Sequence, residues 1–257
     1  MSLYLHPDLQ PFFKGQASVF DQIMRLHGES FRALEGRTTQ RVRIGDKDYF
    51  IKQHRGIGWK EIFKNLLQGR LPVVSAKNEW QALQKLQSLG VGAPEVVGFG
   101  HRGFNPARME SFVIMTAVLP SESLETLCAN WRTKPPSFQT KQALIAKVAR
   151  ITRLMHENGI NHRDLYLCHY LLHQDELYLI DLHRAQMRQR VPARWRQKDL
   201  AGLYFSSKEC GLTQRDLYRF MCAYRGKPLM TIFKAEQDDW QKIKDRGEKL
   251  YCDHENR

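Results

Sequence analysis

Residues 161–172 read NHRDLYLCHYLL, four polar residues running into a mostly apolar stretch that contains a second histidine. Taken alone, His-Arg-Asp is as compatible with a buried helix end as with a catalytic loop, so the flanking elements have to decide. KQALIAKVARITRLMHENG (141–159) comes before it, a long amphipathic helix stopped by Gly159. ELYLID (176–181) comes after it, a short strand ending in Asp181, 17 positions beyond Asp164. Two aspartates presented by a loop and a neighbouring strand end suit phosphoryl transfer. One can orient or deprotonate an attacking hydroxyl while the other holds Mg²⁺ against phosphates.

The chain upstream supplies what that chemistry lacks. FRALEG (31–36), TQRVRIG (39–45) and YFIKQH (49–54) alternate like strands around a GDKD turn, an antiparallel meander. Lys52 ends the apolar triplet Tyr49-Phe50-Ile51, where a strand lysine can reach α- and β-phosphates. AKNEWQALQKLQSLG (76–90) is helical, with Trp80, Leu83 and Leu86 on one face, and its Glu79 can pair with Lys52. PEVVGFG (94–100) and SFVIMTAV (111–118) add two strands, and beyond Pro120 the pattern turns helical. The layout is α+β: a small antiparallel-sheet lobe over 1–118 and a mainly helical lobe over 119–257.

Bulk properties narrow the partners. Among 257 residues Lys+Arg number 40 and Asp+Glu 27, a net charge of +13 that favours anionic partners. Five cysteines (128, 168, 210, 222, 252) show no C-x-x-C pairing, so neither a metal cluster nor a disulfide framework is expected. Cys168 reads as a packing residue. MSLYLHPDLQPFF lacks the basic and apolar regions of a signal peptide. The longest apolar run, FVIMTAVL (112–119), is far shorter than the ~20 residues of a membrane span.

The order strand lysine, helix glutamate, His-Arg-Asp, strand aspartate resembles the protein-kinase-like superfold. NHRDLYLCHYLL, YLIDLHRAQ (178–186) and KDLAGLYFSS (198–207) together resemble the bacterial lipopolysaccharide core heptose kinases over nearly the whole chain. The resemblance implies a two-lobed kinase-like fold. It also implies phosphorylation of the first inner-core heptose from ATP and Mg²⁺, at the cytoplasmic face of the inner membrane. Carried over by motif, Asp164 would be the catalytic base and Asp181 the metal ligand. Lys52 and Glu79 would orient the phosphates, with adenine under the Met115–Val118 connection (Met115, Ala117, Val118). Asp199 would brace the catalytic loop, with His162 and Arg163 organising it.

Departures from protein kinases carry information. The phosphate-covering turn is reduced to GRTTQ (36–40), which leaves Gly36 as its one glycine contact. Position 169, where a metal-binding asparagine is usual, is histidine. His169 is therefore a second candidate metal ligand, with phosphate contact or packing beneath the loop as alternatives. Only 17 residues separate Asp181 from Asp199, too few for a long peptide-cradling loop, so sugar or small acceptors are favoured. That segment holds Arg184, Arg188, Arg190, Arg194, Arg196 and Lys198 without an acid. A solvated face is the ordinary explanation of such a run, but beside a metal site it suits the carboxylates of inner-core glycolipid.

An insert at 56–72, largely GWKEIFKNLLQGRLP (58–72), places Trp59, Ile62, Phe63, Leu66 and Leu67 on one helical stripe flanked by Lys60 and Lys64. Such stripes usually join a core, but here docking on an anionic membrane surface is the competing reading. An acidic or acyl-bearing protein partner would also suit the basic, apolar surface. Nucleic acid is disfavoured because no binding module accompanies the charge. Two rivals stay open: a kinase for another acceptor (Kdo sugar, small molecule, protein tyrosine), and a non-catalytic kinase-like module.

Overall fold

The structure is a computed structural model, and it describes residues 1–34, 36–67 and 72–256. The chain divides into two compact units, Met1–Gln87 with Pro94–Ala117, and Ser88–Ala93 with Val118–Arg257.

The first unit is built on a six-stranded sheet in the order β1-β5-β6-β4-β3-β2. Its strands are β1 (Ser2–Leu5), β2 (Glu29–Leu34), β3 (Arg37–Ile44), β4 (Lys47–Arg55), β5 (Val96–Arg102) and β6 (Glu110–Thr116). All the pairings are antiparallel. Alternation in β3 sends Gln40, Val42 and Ile44 inward. Val42 and Ile44 share a core with Ile51, Phe112 and Ile114, and helix α1 (Val19–Met24) covers it with Phe20 and Ile23. Ser18 caps α1, its hydroxyl accepting from the Asp21 N–H. The sheet therefore has one strand more than the five read from sequence. β1 carries little alternation, and it pairs along β5 to close an edge that would otherwise be exposed.

Two further helices belong to this unit, α2 (Gly58–Leu67) and α3 (Lys77–Ser88). In α3, Leu83 and Leu86 are buried as the stripe requires, and Trp80 stacks on Phe99 at 4.1 Å. α2 departs from the usual fate of an apolar stripe. Only Ile62 is buried; Trp59 is 50%, Phe63 57% and Leu67 89% exposed. Positions 68–71 of the insert lie outside the described residues.

The second unit is mainly helical: α4 (Leu124–Cys128), α5 (Phe138–Glu157), α6 (Ala193–Ser207), α7 (Gln214–Arg225) and α8 (Leu229–Glu255). Ala149 of α5, Leu200 and Ala201 of α6, Tyr224 of α7 and Ile243 of α8 form its core. Ser137 caps α5, and Thr213 with Asp216 forms a capping box at α7. Short strands fill the space before α6. β7 (Glu122–Ser123), β9 (Tyr170–His173) and β10 (Glu176–Leu179) form one sheet, and β8 (Ile160–Asn161) pairs with β11 (Gln186–Met187). Leu171 and Leu172 thus belong to a strand.

Ser88–Ala93, assigned from sequence to the first lobe, groups with the second unit. The Leu179 N–H donates to the Gly92 carbonyl at 2.8 Å, tying this turn to β10.

Gly159 shows why α5 stops where it does. Its φ is +79°, and a Cβ there would lie 1.7 Å from the Arg188 carbonyl oxygen. Its own carbonyl accepts from the Arg188 N–H. Gly159→Ala is expected to destabilise the protein by about 1–3 kcal/mol, from left-handed strain and a displaced β8–β11 pair. A urea midpoint equal to that of the parent protein would contradict this.

Candidate active site

In the first unit, β4 and α3 bring Lys52 and Glu79 together, Nζ to Oε1 at 2.6 Å. Glu79 is 1% exposed, and a buried carboxylate of this kind is tolerated when a cation pairs with it. Met115 is buried in β6 opposite Phe50. Ala117 is half-buried, and its N–H donates to the Asp48 carbonyl; Val118, also half-buried, belongs to the second unit. Gly36 turns β2 into β3 with φ +71°, and a Cβ on it would meet the Gly56 carbonyl oxygen at 2.4 Å. A tight backbone approach is reason enough for this glycine.

In the second unit, 161–169 and 179–184 converge. Asp164 accepts from the Arg184 guanidinium, Nη1 lying 3.2 and 3.0 Å from its two oxygens, and Lys198 Nζ stands at 4.0 Å. Burial pushes the Lys198 ammonium below the ordinary lysine range, against the pull of Asp164. Asp181 lies two residues past β10 in left-handed backbone, φ +61°. A non-glycine residue held there turns its carboxylate out of the strand direction, the kind of local strain concentrated at functional sites. His183 Nδ1 lies 2.7 Å from Asp181 Oδ1.

His169 faces the same aspartate. Its Nδ1 is 2.7 Å from the Asp164 carbonyl oxygen, an atom that can only accept, so the proton resides on Nδ1. In the neutral ring Nε2 then presents a lone pair 3.6 Å from Asp181 Oδ2, too long for a hydrogen bond. Two lone-pair atoms at that separation can share one cation. Among the described residues no group of three or more His, Cys, Asp or Glu side chains forms a metal cage. Mg²⁺, which keeps several waters and phosphate oxygens, fits a donor pair of this kind.

Asp199 holds the loop from below. Buried in α6, its carboxylate accepts from the backbone N–H groups of His162 and Arg163, both at 2.7 Å, and lies 3.2 Å from His156 Nε2. His162 is also buried and stacks on His169 at 5.3 Å. It donates Nε2–H to the Ile180 carbonyl, and burial drives its pKa below the ordinary histidine value. The loop carrying Asp164 is thereby tied to the strand carrying Asp181.

The basic run divides. Arg184 is on Asp164 and Arg196 approaches Asp239, while Arg188 bonds Asn161 and Gln186. Arg194 stacks over Trp195, and Arg190 is exposed. Arg184 had been read only as acceptor-binding. Its place on Asp164, the nearness of Lys198 and the His183–Asp181 contact were all missed, although each residue lies within three positions of a recognised aspartate.

The chain matches the lipopolysaccharide kinase (Kdo/WaaP) family over residues 21–224. It is 48% identical over 242 residues to "Lipopolysaccharide core heptose(I) kinase WaaP" of Escherichia coli K12, covering 91% of each chain. It is 44% identical over 259 residues to the protein of the same name from Pseudomonas aeruginosa, covering 98% and 96%. A solved structure, "WaaP in complex with acyl carrier protein", superposes with a TM-score of 0.85 at 38% identity, covering 98% of this chain and 100% of that one.

Proposed function

This chain belongs to the lipopolysaccharide kinase (Kdo/WaaP) family, and from that premise we propose that it is an ATP-dependent kinase phosphorylating the first heptose of the lipopolysaccharide core. The observation that carries the reading is the convergence of Asp164, Asp181 and His169 on a loop braced by Asp199. A binding module has no need of that construction. Lys52, aimed by Glu79, steadies the nucleotide phosphates, and Met115, Ala117 and Val118 receive the base. Gly36 is the contact proposed from the phosphate-covering turn. Asp164, oriented by Arg184, accepts a hydrogen bond from the heptose hydroxyl. It takes that proton as the oxygen–phosphorus bond forms and the bond to the β-phosphate oxygen breaks, with ADP leaving. Mg²⁺ held by Asp181 and His169 supplies neutralisation of phosphate charge. A loose transition state asks mainly for positioning and electrostatics, which these residues provide.

The test is transfer of labelled γ-phosphate to purified core glycolipid ending in unphosphorylated heptose, against Kdo-only glycolipid and a tyrosine peptide. Label on heptose alone is the expected result; preference for either control would overturn the acceptor. Asp181→Ala should reduce nucleotide affinity with Mg²⁺ to the level measured with chelator. Retained metal dependence would remove Asp181 from the metal site.

An acyl-bearing carrier protein is the proposed partner. The helical unit encloses a cavity of about 460 Å³, within the ligand-binding range. Leu124, Leu144, Val148, Leu203, Phe220 and Trp240 contribute to its lining, while neither Asp164 nor Asp181 does. An apolar chain suits such a lining, and an acidic carrier suits a chain of charge +13. Leu144→Trp should weaken binding of acylated carrier and leave unacylated carrier unaffected; equal binding of acylated carrier by variant and parent would exclude this cavity.

The acceptor is a glycolipid, so the enzyme works as a peripheral protein on the anionic cytoplasmic face of the inner membrane. No helix among the described residues is long and apolar enough to cross a bilayer. The exposed stripe of α2 is the proposed contact. Its start is joined to the loop carrying Phe104, 94% exposed, through the Gly58 N–H and the Ala107 carbonyl. Replacing Trp59, Phe63 and Phe104 by serine should lower partitioning onto anionic vesicles; unchanged partitioning would sink this contact.

A further inference from the structure

We infer that Arg163, Arg188, Arg194, Trp195 and Asn161 form an oxyanion subsite, beside the catalytic aspartate, that takes a sugar-acid carboxylate of the acceptor. This rests on the glycolipid-kinase reading and deepens it. Three guanidinium groups surround one indole ring, with Arg163, Arg188 and Arg194 at 5.3, 5.8 and 5.0 Å from Trp195. Among the described residues none of the three lies within ion-pair distance of a carboxylate, although each acid close by is engaged elsewhere: Asp164 by Arg184 and Asp199 by the loop backbone.

Arg163 is only 7% exposed. Burial, then the neighbouring Arg184 guanidinium, pushes its pKa below the ordinary arginine value, so its charge is held at a cost. Three buried donors here lack acceptors: Arg163 Nε, Trp195 Nε1 and Asn161 Nδ2. Buried donors are normally satisfied, and a group of them beside unpaired cations calls for an anion. α6 begins at the same place with Pro192 as its cap residue. It has neither a side-chain cap bond nor an acid in its first turn, so its positive end is also uncompensated.

The source of the anion follows from position. Arg163 precedes Asp164 directly, Asn161 lies in β8, and Arg188 directly follows β11, the strand paired with it. An acceptor presenting its hydroxyl to Asp164 would bring a carboxylate of an adjoining sugar acid within reach of guanidinium forks, which match a planar carboxylate in two-point contact. The subsite would align the acceptor and favour acidic inner core over neutral sugar.

Two measurements on the full chain test it. Arg194 is exposed and its change leaves the loop intact, so Arg194→Gln should raise acceptor KM roughly tenfold with kcat and ATP KM unchanged. On acceptor whose carboxylates are converted to methyl esters, parent and variant should share one raised KM. A full additional penalty for the variant on esterified acceptor would overturn the assignment, as would no KM change on the native one. Calorimetric titration with a free sugar acid, its methyl ester and inorganic phosphate gives a readout independent of transfer. Binding of the acid alone, lost in Arg194→Gln, is expected. Equal binding of ester and acid, or binding of phosphate alone, would reject the carboxylate. If the parent protein binds the sugar acid but labels no heptose, the kinase reading fails and the subsite stands.

Discussion

Asp164→Ala is expected to lower phosphoryl transfer by roughly 10²–10⁴-fold while ATP affinity stays within about twofold of the parent value. The asymmetry follows from where the residue acts. Its carboxylate is directed by Arg184 and Lys198, and no nucleotide contact is assigned to it. Removing it takes away the acceptor for the heptose hydroxyl proton and leaves Lys52, Glu79 and Asp181 in place. Asp164→Asn separates geometry from chemistry, since the amide keeps a hydrogen-bond acceptor for Arg184 but is a very poor base. Loss in both variants with normal nucleotide titration supports the base. Full activity in purified Asp164→Ala would eliminate the assignment, and loss of ATP binding in both would move Asp164 to a phosphate or metal role.

The second large effect lies on a residue that touches no substrate. Asp199→Ala should destabilise the protein by about 2–6 kcal/mol, because two buried backbone N–H groups lose their acceptor at roughly 1–3 kcal/mol each. Its carboxylate is also the partner of buried His156. Activity should fall with stability, and the discriminating readout is Asp199→Asn. One amide oxygen can serve only part of the bracket, so this variant should be intermediate in urea midpoint and in kcat, with acceptor KM nearly unchanged. Parent-like kcat in folded Asp199→Ala would show that the loop holds its shape without the brace.

Much of the candidate site was legible in the sequence. Lys52 stands in an alternating strand, Glu79 on the buried face of an amphipathic helix, and Asp181 at the end of ELYLID. In each case periodicity supplies the element, and order along the chain supplies the proposed role. The meander, the α3 helix and the long α5 helix rest on the same signal, strongest where one face is buried and the other solvated. β1 escaped because its residues are largely exposed and carry no period. Strands of two residues, such as β7, β8 and β11, are too short to show one. The α2 stripe marks a limit of the opposite kind. Periodicity reports that a helix has an apolar face but not that anything covers it, and Trp59, Phe63 and Leu67 are left exposed.

The sequence by itself determined the α+β architecture and singled out Asp164 and Asp181 as the candidate reacting pair, because both are encoded in local spacing and chain order. Only the tertiary structure decided how the basic segment is used. Arg184 and Lys198 go to Asp164, Arg196 approaches Asp239, and Arg163, Arg188 and Arg194 gather around Trp195 without an acid. A run of arginines in sequence is a sum of identical charges. What each one does depends on which carboxylates and unpaired donors the fold places within a few ångströms, since electrostatic and hydrogen-bond energies are settled at contact distance.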